Sequence, residues 1–269
     1  MRKLFATAAV LCAAVGVATA QENGGVAQMP LEQGVPERGG AARRAKGESA
    51  VRVPTEDDVL SKILPTDSPY FYQRMMARYL EGDMTLTDDH YFYLYYGYAY
   101  DAEFDAHREL PGEGVMYEIF ERTDTPTREE ALAIIEAGRR NMTVDPFSPG
   151  NINMMTYAYG LAGDSIAAAA SAERFRRVVR AIESSGTGAR EREPWHILRF
   201  SHANDIVAAH GLTIANRQVR TRDVEYIQVE RNPEGVKGYF FDFSRVYWKP
   251  YGGPRVSKKH KWMFNGTPM

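Results

Sequence analysis

Apolar residues recur at helical spacing through most of this chain and switch to alternation only near its end. Phe71, Met75 and Tyr79 stand four apart, with Tyr72, Met76 and Leu80 beside them, so one wide apolar helix face is expected there. Ser68 followed by Pro69 reads as its start, with Ser as cap and Pro at the first helical position, where a missing N–H is no loss. Gly82 occupies a C-terminal cap position, which favours a left-handed residue. Thr87 then caps a second helix, and Asp88 and Asp89 in its first turn meet the positive end of the helix dipole. Tyr91, Phe92, Leu94, Tyr95 and Tyr96 follow, and Gly97 ends it. The stretch predicts a helical hairpin.

Thr127 with Glu130 forms a capping box ahead of Ala131, Leu132, Ile134 and Ile135, the expected buried face of the next helix. Ser148-Pro149 opens another, with Ile152, Met155 and Tyr159 on one side and an end near Gly163. Asp164 caps a long helix in which Ala168, Phe175, Val179 and Ile182 point inward and Arg174, Arg177 and Arg180 outward, with Gly186 closing it. The last two helices look like one tetratricopeptide-type hairpin, although the Trp-Leu-Gly positions of that repeat are missing. From Trp195 to Phe200 the chain alternates like a strand; Ser201 caps a short helix that Gly211 ends. Val224 to Glu230 alternates as half-buried sheet, Asn232 to Gly235 is a turn, and Tyr239 to Phe243 pairs back across it. The expected class is α+β: mainly helical hairpins at 55–188, then a small antiparallel sheet with one packed helix at 189–250.

The hairpin motif resembles a family of secreted Bacteroidetes proteins known as domain of unknown function 4919. The matching residues are Arg78, Tyr79, Gly82, Asp83, Thr85, Leu86, Thr87, Asp88, Asp89, Leu94, Tyr95, Tyr96 and Gly97. Ala203-Asn204-Asp205 stands where that family tends to carry a Glu-Tyr pair. The resemblance implies a secreted or envelope location and no assigned chemistry. Residues 1–20 agree: Arg2 and Lys3 precede an apolar run that ends at Ala18-Thr19-Ala20, the pattern of a cleaved secretory signal. The run is too short to span a bilayer, and no other run could. Residues 21–54 are rich in Gly, Glu, Arg and Ala and read as a disordered linker.

Cleavage would remove Cys12, the single cysteine, leaving a mature chain without disulfide, thiol nucleophile or cysteine metal site. Val10-Leu11 before Cys12 argues against lipidation. The formal net charge would fall from −2 to −4, because the signal holds two of the 33 bases and no acid. That charge, with export, argues against nucleic acid as a partner. Residues 81–136 hold fifteen acids and three bases, while 245–269 hold six Lys/Arg and no acid. A basic tail at 251–269 lying on the acidic helical face is the favoured account of both, with an acidic surface for a basic partner, or a tail for anionic glycans, as the alternative. Asp101, Glu103, Asp105 and His107 invite a calcium loop, but Ala106 and Gly112 stand where Gly and Glu are needed, so no metal and no cofactor is expected.

Two sets of residues could carry function. His202 and Asp205, three apart on one short helix, are neighbours and could serve a hydrolase, with His210 off to the side. They do not form a His-Glu-x-x-His zinc helix, and no Gly-x-Ser-x-Gly elbow or dinucleotide fingerprint accompanies them. Alternatively, Asp88, Asp89, Tyr91, Tyr95 and Tyr98 could form a binding face, since Tyr offers a flat apolar ring with a polar tip. Burial of Tyr91, Tyr95 and Tyr98 would remove that reading. The leading expectation is a non-enzymatic adaptor of the envelope for a protein or glycan, with the hydrolase second and a structural accessory of an outer-membrane complex third.

Overall fold

The computed structural model describes residues 51–123 and 125–247, together with the backbone of 263–264 and 267–268. Its helices are α1 (Glu56–Ile63), α2 (Tyr72–Leu80), α3 (Asp88–Tyr98), α4 (Glu113–Arg122), α5 (Arg128–Met142), α6 (Pro149–Ala162), α7 (Ser165–Glu183) and α8 (Phe200–Ala209). Strands β1 (Trp195–His196), β2 (Ile214–Val219), β3 (Val224–Val229) and β4 (Gly238–Asp242) form one sheet in the order β1–β4–β3–β2. A 3-10 turn, Ser244–Tyr247, follows, and β5 (Met263–Phe264) and β6 (Thr267–Pro268) pair with each other. The class is α+β as expected, but the four-stranded sheet is mixed rather than antiparallel. β1 runs parallel to β4, pairing Trp195 with Phe241 and His196 with Asp242.

Helix α3 is the centre. Every residue from Tyr91 to Tyr98 is buried, so this helix is apolar all round and is packed on by α1, α2 and α7. It starts where expected: the Thr87 hydroxyl accepts the His90 N–H (3.4 Å) and His90 Nδ1 accepts the Thr87 N–H (3.1 Å). Gly82 before it is left-handed, at φ 81°. Of the three arginines of α7, Arg174 and Arg177 turn inward rather than outward, while Arg180 stays exposed as expected. Arg174 donates to the Tyr79 carbonyl (3.0 Å) and lies 4.5 Å over its ring, and Arg177 donates to the Leu86 carbonyl. Arg180 grips Asp88 through two bonds of 3.0 and 3.2 Å. A stripe three residues apart lies on one helix face, and here that face is turned onto α2 and the start of α3.

A second apolar cluster joins α4, α5 and α6 through Met116, Ile119, Ile134 and Ile135. The Thr127–Glu130 capping box forms, while Leu132 points to solvent instead of inward. Asn141 ties the layer together. It accepts the Gly112 N–H (2.6 Å) and donates to Asn151 (3.1 Å), which donates to the Gly138 carbonyl (3.0 Å). Ser148 and Asp164 cap α6 and α7 as expected, with Gly163 left-handed between them at φ 84°. The two helices pack as a hairpin, and the chain then leads into the sheet rather than into another hairpin.

Other differences have separate local causes. Helix α2 begins at Tyr72, because the Ser68 hydroxyl is taken by the Tyr70 N–H (3.1 Å) in a preceding turn. The stretch 194–199 is buried at every residue, so it does not alternate; it is a two-residue strand and a three-residue bend leading into α8. Arg199, not Ser201, holds the N-cap position of α8. β2 carries a mostly exposed, polar pattern and went unforeseen for that reason. Residues 51–54, expected at the end of the linker, touch the fold: the Arg52 N–H donates to the Ser184 carbonyl (2.8 Å), and the Pro54 carbonyl accepts from Arg245. The expected signal, the linker up to residue 50 and the packing of the basic tail lie outside the described residues. Among these residues no helix is long and apolar enough to cross a membrane.

The glycines at the start of α4 separate close packing from mere flexibility. A Cβ on Gly112 would sit 2.1 Å from the Ala137 carbonyl oxygen, whereas one on Gly114 would meet nothing within 4 Å. Gly112→Ala is therefore expected to lower stability by ~1–3 kcal/mol, and Gly114→Ala to raise it by ~0.5–1 kcal/mol. Urea unfolding of both variants tests this; equal effects would contradict the packing described.

Candidate functional site

His202 and Asp205 do not form a pair with each other in an open site. His202 is wholly buried on α8. Its Nε2 lies 2.8 Å from Asp145 Oδ2 and its Nδ1 2.7 Å from the Tyr95 hydroxyl. The Tyr95 oxygen accepts the Leu198 N–H (3.1 Å), which leaves its proton for Nδ1 and assigns the imidazole proton to Nε2, donating to Asp145. Asp145 also accepts the Phe147 N–H (3.2 Å) and lies 3.5 Å from the Arg199 guanidinium. Burial would raise the Asp145 carboxyl, but His202, Arg199 and the Phe147 amide outweigh it and hold it below its ordinary value. Every polar atom of this centre has a partner inside the protein, as a structural network requires.

Asp205 sits instead at the start of α6. It accepts the Gly150 N–H, and a Cβ on Gly150 would lie only 2.5 Å from its Oδ1. Burial pushes its carboxyl up from 3.8 to about 6; His202 and the Gly150 amide oppose this, while Asp145 and Glu113 add to it. Neither His202 nor Asp205 lines either of the two cavities described below.

The expected aromatic binding face is corrected as well. Tyr91, Tyr95 and Tyr98 are all buried, because α3 is covered on every side. Tyr98 donates to the Val144 carbonyl (2.7 Å), and the Arg177 guanidinium lies 5.7 Å over the Tyr91 ring. Asp88 and Asp89 are exposed at the start of α3, paired with Arg180 and Arg52, and both lie on the wall of a groove.

This groove, of about 1110 Å³, runs between the end of α7, the 184–193 loop and β4 with its preceding turn. Its aromatic wall comes from four separate elements, β1, the end of α8, β3 and β4. Trp195 lies 4.6 Å from the Tyr239 ring, and His210 stacks on Trp195 at 5.7 Å with the planes 4° apart. Tyr226 and Phe240, 4.7 Å apart, continue the wall. His210 Nε2 is 2.7 Å from Glu183 Oε1. The loop must fold tightly over Trp195: Gly188 has φ 64°, and a Cβ there would lie 2.7 Å from the indole. Thr187 and Gly188 both donate their N–H to the Glu193 carbonyl at 3.0 Å. At the rim the Arg52 guanidinium lies 4.2 Å over Phe92 and 4.3 Å over Tyr93, with Asp89 at 3.3 Å. The groove's alcohols are engaged elsewhere: Ser184 donates to the Ala181 carbonyl (2.8 Å) and Thr187 to the Glu193 carboxylate (3.1 Å). Flat rings beside paired charges of both signs suit recognition of a polymer with apolar and polar faces. A smaller cavity of about 150 Å³ lies by Tyr79, Met155 and Arg174.

Sequence reasoning missed Trp195, His210 and Tyr239 as a site. They belong to β1, the end of α8 and β4: the parallel β1–β4 pairing brings Trp195 beside Tyr239, and His210 joins them through its stacking on Trp195 and its bond to Glu183. The alternation of β4 is the one local signal for them.

A family model described as Domain of unknown function (DUF4919) matches residues 57–249. No curated protein and no solved structure matches the chain.

Two variants test the buried network. Tyr95→Phe leaves His202 Nδ1 and the Leu198 N–H without their partner and is expected to cost ~1–3 kcal/mol in urea unfolding; an unchanged midpoint would contradict the network. Asp205 titrates near ~3.9 when unfolded and at about 6 when folded. The folded state therefore holds the proton more tightly, and the group's stabilising contribution is largest below pH ~4 and lost as pH rises through about 6. Relative to Asp205→Asn, the unaltered protein should lose about 2 kcal/mol between pH ~4 and ~7. Parallel stability curves for the two proteins would overturn the raised value.

Proposed function

Because the chain belongs to this family of unknown function, we propose its role from its own geometry: it is a non-enzymatic binding protein of the cell envelope that takes a protein or glycan chain into the groove walled by Trp195, His210 and Tyr239. The observation that carries this reading is the contrast between that groove and the buried polar centre. The groove presents half-exposed Tyr239, Tyr226 and Phe240 beside ion-paired charges. The His202–Asp145–Tyr95 centre, where a hydrolase would need access, is enclosed. A large apolar concavity with a few placed polar groups is the usual form of a binding site. Export, proposed from residues 1–20, puts the ligand in the envelope.

Truncating the aromatic wall should remove binding without unfolding the protein. With the exported protein as bait against envelope extract and a glycan array, Tyr239→Ala is expected to retain at least ~10-fold less of any specific ligand, as for an aromatic anchor. Leu132→Ala, an exposed residue away from the groove, should retain it all. Equal retention by Tyr239→Ala and the unaltered protein, or no specific retention at low salt, would overturn the reading.

A further inference from the structure

Resting on the reading of the groove as a binding site, we infer that its ligand is an uncharged glycan, and that the outer face of the sheet recognises it: Gln218, Tyr226 and Phe240 side by side in one row, with Asn216 and Gln228 in the next.

The register of the sheet makes this face. Gln218 stands opposite Tyr226, and Tyr226 opposite Phe240; Asn216 stands opposite Gln228, and Gln228 opposite Gly238. Residues directly opposite in a ladder share a face, so the two rows lie side by side and span about 10 Å across three strands. The other face is turned to the core, where Glu225, Ile227 and Phe241 are buried. On the outer face Asn216, Gln218 and Gln228 are exposed, and Tyr226 and Phe240 are half-exposed. Tyr226, Gly238 and Phe240 also line the groove, so face and groove are one continuous surface. The pair Arg220–Glu191 (3.4 Å) joins the end of this face to the 184–193 loop, the groove's opposite bank.

The side chains offered there suit hydroxyls carried on an apolar ring. The Tyr226 and Phe240 rings lie 4.7 Å apart at 41° and supply flat surfaces for the C–H face of a sugar. Gly238 lets Tyr226 lie across β4, since a Cβ there would come within 2.8 Å of the Tyr226 hydroxyl and ring. A side-chain amide both donates and accepts, as a sugar hydroxyl does. The Gln218 and Gln228 amides and the Tyr226 and Tyr239 hydroxyls make no hydrogen bond to another side chain or backbone group among the described residues. Asn216 uses its Oδ1 on the Arg217 N–H (2.8 Å), which leaves its Nδ2 for a ligand.

Charge and backbone favour a glycan over other polymers. The groove's lining holds four Lys/Arg and five Asp/Glu, so its field selects neither a polyanion nor a polycation. Arg52, Arg180 and Arg190 are paired with Asp89, Asp88 and Glu193, and the two rows of the sheet face carry no charge. A peptide laid along a sheet draws its affinity from main-chain bonds to an open edge. Here the edge of β4 is engaged inside the protein: the Phe240 N–H donates to the Gly188 carbonyl (2.8 Å), and the Asp242 carbonyl accepts the Ile197 N–H (2.9 Å). The surface is therefore complementary to an uncharged, polyhydroxylated chain.

The test uses the full-length product as purified, on one array carrying neutral oligosaccharides of glucose, mannose, galactose and xylose, acidic oligosaccharides of galacturonic acid, and peptides of mixed sequence. Retention on at least one neutral glycan is expected, unchanged between about 0.01 M and about 0.15 M salt. Tyr226→Ala should weaken it ~10-fold, as for an aromatic anchor. Gln228→Ala, a change at an exposed side chain that should leave the urea midpoint in place, should weaken it several-fold. Val219→Ala, next to Gln218 on β2 but facing the other way, should leave it unchanged. Retention of acidic glycans or peptides alone, a neutral glycan held equally by the unaltered, Tyr226→Ala and Gln228→Ala proteins, or no retention at all overturns the inference. Tyr239→Ala, measured in parallel, separates this failure from that of the groove itself. If Tyr239→Ala loses a peptide or an acidic glycan that the unaltered protein holds, the groove binds and its ligand is not an uncharged glycan. If a neutral glycan is lost with Tyr239 but not with Tyr226 or Gln228, the groove binds and the sheet face does not recognise its ligand. If the unaltered protein holds nothing, both fail.

Discussion

The fold depends on burying a helix made largely of tyrosines. A tyrosine ring gains much by leaving water, but its hydroxyl must find a partner when it does so. Three hydroxyls of helix α3 find partners in the segments packed on it: Tyr98 donates to the Val144 carbonyl, Tyr96 donates to the His196 carbonyl (3.0 Å), and Tyr95 accepts the Leu198 N–H and bonds the His202 ring. Tyr79 of α2 does the same with the Pro146 carbonyl (2.6 Å). These bonds fix the 144–148 and 195–199 segments against the helix. Through them the helical layer sets where the sheet begins.

The buried polar centre and the groove follow from this arrangement. Because 195–199 is held by α3, Trp195 can pair in parallel with β4, and its indole becomes the inner wall of the groove. Because 144–148 is held too, Asp145 meets His202 rather than solvent. The His–carboxylate chemistry of the chain is thereby divided. His202 serves the core, and His210, stacked on Trp195 and bonded to Glu183, faces the groove. A further buried charge, Arg245, joins the two ends of the fold by bonding the Pro54 carbonyl and His196 Nδ1 (3.0 Å).

Local chemistry was legible in the chain itself. The caps at Thr87, Thr127, Ser148 and Asp164, the left-handed glycines at 82, 163 and 211, and the β3–β4 hairpin stand where residue types demanded them. Each is decided within about one turn of chain, where propensity and capping act. The family was legible too, from the stretch between Arg78 and Gly97, and the chain's match to it spans 57–249. The inward turn of Arg174 and Arg177, the burial of Glu225 with its bond from Arg217 (3.0 Å) and the edge strand β2 were not, because a polar pattern does not say which neighbour will cover it.

The sequence by itself thus determined the elements, their ends and the class, because these rest on interactions between residues a few positions apart. Only the tertiary structure decided which face of each element is covered. It placed Asp145 on His202, 57 positions away, closed Tyr91, Tyr95 and Tyr98 inside, and assembled Trp195, His210 and Tyr239 into one wall. Contacts at that separation are set by how whole elements pack, and no spacing within a single element carries them.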